Sequence, residues 1–131
     1  MKFLKIKETC LYVRDLERAK IFYEQVLELP LISYLEDKHV FFKAGSSVLL
    51  LFNPEDSKNK ISPPAHYGEG AQHFAFEVST EEYSSAKEWI LRKGVTITEE
   101  VTWPSGAKSF YFEDTEGNVL EILPDSGVWQ E

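Results

Sequence analysis

Apolar and polar residues alternate over KETCLYV, residues 7–13, so Thr9, Leu11 and Val13 fall on one side of an extended chain and Glu8, Cys10 and Tyr12 on the other. This predicts a first strand over about residues 4–13. The period then lengthens to that of a helix. In DLERAKIFYEQVLE, the residues Leu16, Ala19, Phe22, Tyr23, Val26 and Leu27 share one face behind Asp15 as N-cap, and Pro30 closes the segment. PLISYL, KHVFFKA and SSVLLLFN follow as three short strands, separated by Glu36-Asp37 and Gly45-Ser46. Residues 54–70, PEDSKNKISPPAHYGEG, are polar, rich in Pro and Gly and without period, which predicts a linker. The same order then returns. AQHFAFEVS predicts a strand and TEEYSSAKEWILRKG a helix, with Thr80 as N-cap, an acidic first turn and Gly94 as C-cap. VTITEEV, AKSFYFED and GNVLEILP predict three more strands, and WPSG at 103–106 a hairpin turn.

The halves also match residue by residue. An offset of 65 places Val13 on Val78, Asp15 on Thr80 and Glu8 on His73. A second offset, 71, serves the hairpins, pairing Val48 with Val119, Leu50 with Glu121 and His39 with Phe110. Units of this length are too long for a solenoid repeat and too short to fold alone, so each module needs the other to bury its faces. The expected fold is α+β: two βαβββ modules related by pseudo-twofold symmetry, with curved mixed sheets lining a cleft and helices outside. All 131 residues form one domain in this reading, with modules at about 4–53 and 71–124, a linker at 54–70 and a tail at 125–131.

Alternation assigns faces in the second module as in the first. Phe74, Phe76 and Val78 turn to the helix, leaving His73, Ala75 and Glu77 on the other side, and Leu120 and Ile122 oppose Val119, Glu121 and Leu123. A carboxylate such as Glu121 in an apolar strand is costly without a partner. Glu8, His73 and Glu121, distant in sequence and two of them equivalent by the repeat, suggest a divalent-metal site with donors at ~2.0–2.2 Å. A Glu held by Arg or by backbone N–H groups, and a His satisfied within the core, are the structural alternatives. Tyr12, Tyr34, Trp103 and Tyr111 serve as aromatic pocket walls or as core. Cys10 touches a ligand or packs as a small hydrophobe, His66 and Tyr67 close over the cleft or are simply solvated, and His39 is structural.

Composition narrows the partners. A net charge of −8, from 22 acidic and 14 basic side chains, opposes binding to nucleic acid or anionic membranes. No apolar run is long enough to span a bilayer, and MKFLKIKE lacks a signal-peptide core. The single cysteine, Cys10, excludes an intrachain disulfide and fits a reducing compartment, so a cytoplasmic location is expected.

The segments CLYVRDLERAKIFYEQVLELPL, GAQHFAFEV and SFYFEDTEGNVLEIL together resemble the vicinal oxygen chelate superfamily over about residues 4–124. That family includes glyoxalase I, bleomycin-resistance proteins, fosfomycin-resistance thiol transferases and extradiol dioxygenases. The resemblance implies paired βαβββ modules and metal ligands on the first and last strands of each, positions that correspond to Glu8, Leu50, His73 and Glu121. His73 and Glu121 match the usual ligand types; Glu8 stands where most metal-binding members have histidine, and Leu50 cannot coordinate. One histidine with two carboxylates neutralises a divalent ion and favours Mn, Fe or Mg, with Zn and Ni still admitted. Implied with it is a glyoxalase-like lyase or isomerase, in which Glu8 or Glu121 moves a proton on a small oxygenated substrate bordered by Tyr12, Cys10, Leu50, Trp103, Tyr111 and His66. Leu50, the missing histidine and the net charge support an alternative, a metal-free binding protein of the bleomycin-resistance kind. A third reading is a fold retained for interaction, with Glu8 and Glu121 paired to protonated His73. Extradiol dioxygenase ranks lower because its triad carries two histidines, and fosfomycin transfer because no basic cluster awaits a phosphonate. Relatives are commonly homodimers, so a second copy is an expected partner.

Overall fold

The computed structural model describes residues 1–129, and the expected tail beyond Trp129 lies outside the described residues. Two compact units make up the chain, Met1–Gly70 and Ala71–Glu131. In the first, β1 (Glu8–Tyr12) leads into helix α1 (Leu16–Ile21), followed by β2 (Leu31–Leu35), β3 (His39–Ala44), β4 (Ser47–Phe52) and a short helix α2 (Pro54–Ser57). In the second, β5 (His73–Val78) leads through a 3₁₀ turn, Thr80–Glu82, into α3 (Tyr83–Arg92) and on to β6 (Glu99–Thr102), β7 (Lys108–Glu113) and β8 (Val119–Pro124). The sheet orders are β1-β4-β3-β2 and β5-β8-β7-β6. In each, the first strand runs parallel to the last and the other pairs are antiparallel. Both units are thus βαβββ modules with mixed sheets, as the repeat requires. Among the described residues no helix is long and apolar enough to cross a membrane.

One face of each sheet is sealed by its helix. Leu11, Val40, Phe42, Leu49 and Leu51 are buried with Leu16, Ala19 and Tyr23 of the first unit, and Phe110, Phe112, Leu120 and Ile122 are buried with Ile90 in the second. Ring contacts join helix to sheet in both: Tyr23 to Phe42 at 5.8 Å and Tyr83 to Phe110 at 5.6 Å between centroids. The opposite faces carry the polar residues assigned to them by alternation.

The structure corrects four local readings. Asp15 does cap α1, accepting a hydrogen bond from the Arg18 amide at 3.0 Å, but regular helix ends at Ile21 and a π-turn covers Phe22–Val26. The wider turn is closed by the Leu27 amide on the Phe22 carbonyl, and Tyr23, four residues after Ala19, is buried with it. Thr80 is not a cap. It begins the 3₁₀ turn, and its amide and hydroxyl both donate to Asp125, at 3.2 and 2.7 Å, so its side chain is already engaged across the unit. Residues 54–70 are not a featureless linker: Asn53 caps α2, Pro54 opens it, and fully buried Ser57 donates to the His66 carbonyl at 2.8 Å while the His66 amide returns a bond to the Ser57 carbonyl. The fourth concerns the repeat. Glu8 faces Val48 and His73 faces Val119, which confirms offsets of 65 for the first strands and 71 for the last. Val48, however, pairs with Lys43, and Val119 with Glu113, so the third strands match at 70. His39 therefore corresponds to Ser109 and not to Phe110. The second hairpin is one residue longer, its turn organised by Asp114, whose carboxylate accepts from the amides of Glu116 and Asn118.

Candidate functional site

Glu121 lies in a central strand, with Ala75 of β5 on one side and Tyr111 of β7 on the other. The small methyl of Ala75 leaves room above it. His73, two residues earlier on the same face, fills that space and brings its Nε2 to 3.3 Å from Glu121 Oε1. The Glu121 side chain is 7% exposed and that of His73 50%, so the carboxylate sits at the floor and the imidazole at the rim. His73 Nδ1 lies 2.7 Å from the carbonyl oxygen of Val119. A carbonyl only accepts, so Nδ1 carries a proton and donates it there, and in the neutral ring Nε2 presents a lone pair to Glu121. Two electron-rich atoms at that separation repel unless a proton or a cation lies between them. The backbone bond also fixes the ring orientation, the usual arrangement of a metal-binding histidine.

Tyr111 and Trp103 complete this wall. Burial pushes the Tyr111 phenol above its ordinary value; a hydrogen bond from Ser109 pulls the other way, and the charge of Glu121 and a hydrogen bond to it add to the rise. The phenol therefore remains a donor beside the carboxylate at neutral pH. Its ring centroid is 6.1 Å from that of His73. Trp103, from the turn closed by the Gly106 amide on the Trp103 carbonyl, donates its indole N–H to Ser109 Oγ at 3.0 Å. Ser109 is a site residue that sequence reasoning missed. Its signal was present in KSFYFE: a hydroxyl two residues from Tyr111 belongs to the same strand face.

In the first unit the corresponding face is aromatic. Glu8 is exposed at the start of β1. Cys10 pairs with Leu50, which pairs in turn with Phe41, and Tyr12 pairs with Phe52, which pairs in turn with His39. The ring of His66 stands edge-on to Phe52 at 4.5 Å, with Nδ1 at 2.7 Å from the Tyr12 hydroxyl. His66 is thus docked on this face and is not a solvated loop residue, while Tyr67 beside it is exposed and bonds to Glu69. His39 stacks on Phe41 at 3.8 Å and bonds to Ser33, in keeping with a structural role. Tyr34 stands apart from this face, under Lys20.

Burial first, and then the hydrogen bond and charge of Cys10, push the Tyr12 phenol up to about 12. The folded state thus favours the protonated phenol, which shares a hydrogen bond with His66 Nδ1. Because the folded value lies above the ordinary 10.0, this stabilisation is fully present below pH 10 and is lost as pH rises toward 12. Ultraviolet difference titration of wild type against Tyr12→Phe should show one tyrosine ionising about two units late. A Tyr12 phenolate already formed at pH 10 would contradict the packing described.

The structure therefore brings His73, Glu121 and Tyr111 together, links Trp103 to them through Ser109, and separately gathers Cys10, Tyr12, Leu50 and His66. Among the described residues no group of three or more His, Cys, Asp or Glu side chains is gathered to hold a metal ion. The pair His73–Glu121 nevertheless fits such an ion in donor type, tautomer and opposed lone pairs.

The model of the glyoxalase/bleomycin resistance protein/dioxygenase superfamily matches residues 5–122. The crystal structure of lactoylglutathione lyase from Agrobacterium tumefaciens is 32% identical, with a TM-score of 0.92 and all of both chains covered. An integron cassette protein from V. cholerae is 28% identical at a TM-score of 0.72, covering 96% of this chain and 98% of that one. A fosfomycin resistance protein from Listeria monocytogenes, solved with Mn(II) and 1S,2S-dihydroxypropylphosphonic acid, is 20% identical at a TM-score of 0.68, covering 95% and 93%, and shares the fold. No curated protein sequence matches the chain.

Proposed function

We propose that this chain, which belongs to the glyoxalase/bleomycin resistance protein/dioxygenase superfamily, is a glyoxalase-like lyase or isomerase that uses a divalent metal ion to move a proton on a small oxygenated substrate. The observation that carries this reading is the His73 Nε2 turned onto the buried Glu121 carboxylate at 3.3 Å, its tautomer set by Val119. The likeness to a lactoylglutathione lyase supports the reaction class. His73 and Glu121 would hold the ion, and Glu8, which occupies in β1 the position of His73 in β5, is the second carboxylate of this reading. When bound, the ion supplies Lewis acidity, which lowers the cost of negative charge developing on substrate oxygens. The two carboxylates divide the remaining work. Glu121, dry and hydrogen-bonded by Tyr111, is fixed in place and suits holding. Glu8, exposed at the strand start, has the water access that a group taking up and returning a proton needs. Tyr111 keeps its proton and orients Glu121.

The metal-free binding reading has Leu50, set opposite Cys10 with no donor to offer, on its side. Thermal shift separates the two. Mn²⁺, Ni²⁺ or Zn²⁺ at a hundred times its dissociation constant should add about 2.7 kcal/mol to wild type and nothing to His73→Ala. The same wild-type protein should turn over lactoylglutathione. Stabilisation by organic cations alone, with no response to any of the three metals, would leave a binding protein.

A further inference from the structure

Ser109 is fully buried, carries a hydroxyl, and has no part in holding an ion or a substrate in the reading above. Its surroundings show what that hydroxyl does. Tyr111 of β7 pairs with Glu121, and Ser109, two residues earlier, lies on the same face. Val101 of β6 pairs with Ser109, so Trp103, two residues on, belongs to this face as well. Trp103 is anchored there twice: its amide donates to the Ala107 carbonyl at 2.8 Å and its indole N–H to Ser109 Oγ at 3.0 Å. The Tyr111 phenol in turn is hydrogen-bonded both to Ser109 and to Glu121. Trp103, Ser109, Tyr111 and Glu121 thus form one line of side chains.

The two ends of this line fix its direction. An indole N–H can only donate and a carboxylate can only accept. Tyr111 therefore gives its proton to Glu121, its oxygen accepts from Ser109, and the Ser109 oxygen accepts from Trp103. Were Tyr111 to donate to Ser109 instead, its oxygen and the buried carboxylate would meet lone pair to lone pair. Hydrogen bonds aligned head to tail polarise one another, so a change of strength at one end is felt at the other.

We infer that Ser109 and Trp103 are positioning residues of the site, which act through Tyr111 to hold the Glu121 carboxylate in one orientation and so set its affinity for the divalent ion. The affinity half of this rests on Glu121 as a ligand, as proposed above; the directed line of hydrogen bonds is a property of the metal-free protein. Neither residue needs to touch ion or substrate. Loss of a group that orients a metal ligand weakens metal binding by about 10- to 100-fold.

Nuclear magnetic resonance on the nitrogen-labelled full chain reads the line of bonds without metal. Each of the three tryptophans contributes one indole N–H signal, and the one lost in Trp103→Phe belongs to Trp103. A neutral amide oxygen accepts less strongly than a carboxylate, so Glu121→Gln should move that signal upfield. Added to Ser109→Ala or to Tyr111→Phe, the same Glu121→Gln change should leave it in place. Calorimetric titration with whichever of Mn²⁺, Ni²⁺ and Zn²⁺ stabilises wild type should show a dissociation constant raised about 10- to 100-fold in Ser109→Ala. Trp103→Phe should raise it less, because Ser109 keeps its bond to Tyr111. Phe112→Ala, on the other face of β7, should lower Tm further than either and leave the constant unchanged; a purely structural Ser109 would likewise leave it unchanged. A Trp103 signal that ignores Glu121→Gln, a signal that moves as far without Ser109, or a Ser109→Ala constant equal to that of wild type would overturn the inference. Wild type that responds to no divalent ion while its Trp103 signal follows Glu121 would end the metal reading and uphold the positioning of Glu121 by Ser109 and Trp103.

Discussion

Glutamine in place of Glu121 is expected to abolish stabilisation by divalent ions and cut turnover by about 10²-fold or more, while leaving the metal-free fold as stable as wild type or slightly more so. Removing a group that merely supports a metal ligand already costs about 10- to 100-fold, and Glu121 is proposed as a ligand itself. The stability side follows from the His73 geometry. With Nδ1 committed to Val119, the neutral imidazole and the carboxylate present lone pairs to each other at 3.3 Å, inside a strand where the Glu121 side chain is 7% exposed. A glutamine amide can donate to Nε2 in that place, converting an opposition into a hydrogen bond of about 0.5–1.5 kcal/mol and removing a buried charge. In a chain of this size that corresponds to a Tm a few degrees higher. Two outcomes would sink the assignment. If Glu121→Gln keeps the metal response of wild type, Glu121 is not a ligand. If the metal-free variant loses more than about 2 kcal/mol, Glu121 is the partner of a protonated His73, and the pair is a structural ion pair.

His73 and Glu121 were legible in the sequence because strand alternation and residue type agree there. Each is an ionisable residue on a face away from the helix, and no neighbour within its strand could neutralise it. The repeat was legible for β1 and β5 and for β4 and β8, where parallel pairing ties the matching strands to one register. It slipped at β3 and β7. KHVFFKA and KSFYFE each centre on an unbroken run, VFF and FYF, and a one-residue slip leaves nearly the same pattern while exchanging the faces. Only the extra residue in the Asp114 turn shows that His39 answers to Ser109. Asn53-Pro54 is a good helix opening, but the polar residues after it concealed how Ser57 and His66 bond to each other across the loop. That contact, like the bond from His66 to Tyr12, joins residues too far apart for any local periodicity to reveal.

Phe42→Ala and Phe112→Ala, at positions equivalent in the corrected register, should each lower stability by about 3–5 kcal/mol. Both rings are fully buried on the helix-facing side of their sheets, Phe42 against Tyr23 and Phe112 near Phe110. Each truncation loses the burial of an aromatic ring and leaves a cavity that a strand held on both sides closes poorly. Against a total of about 5–15 kcal/mol, such a loss is large, and it should shift the denaturant midpoint strongly at an unchanged m-value. The metal increment should not change. Phe112 pairs with Leu120, whereas Tyr111 pairs with Glu121, so the truncated ring lies on the face opposite the carboxylate. Glu121→Gln and Phe112→Ala, neighbours across one strand pair, should therefore act in opposite ways: the first takes metal response and spares the fold, the second takes stability and spares metal response. A loss under about 1 kcal/mol for Phe112→Ala would show that the ring is not packed as described. A metal increment that falls with it would show that the two faces of the β7–β8 pair are energetically coupled, and the site would then depend on the core beneath it.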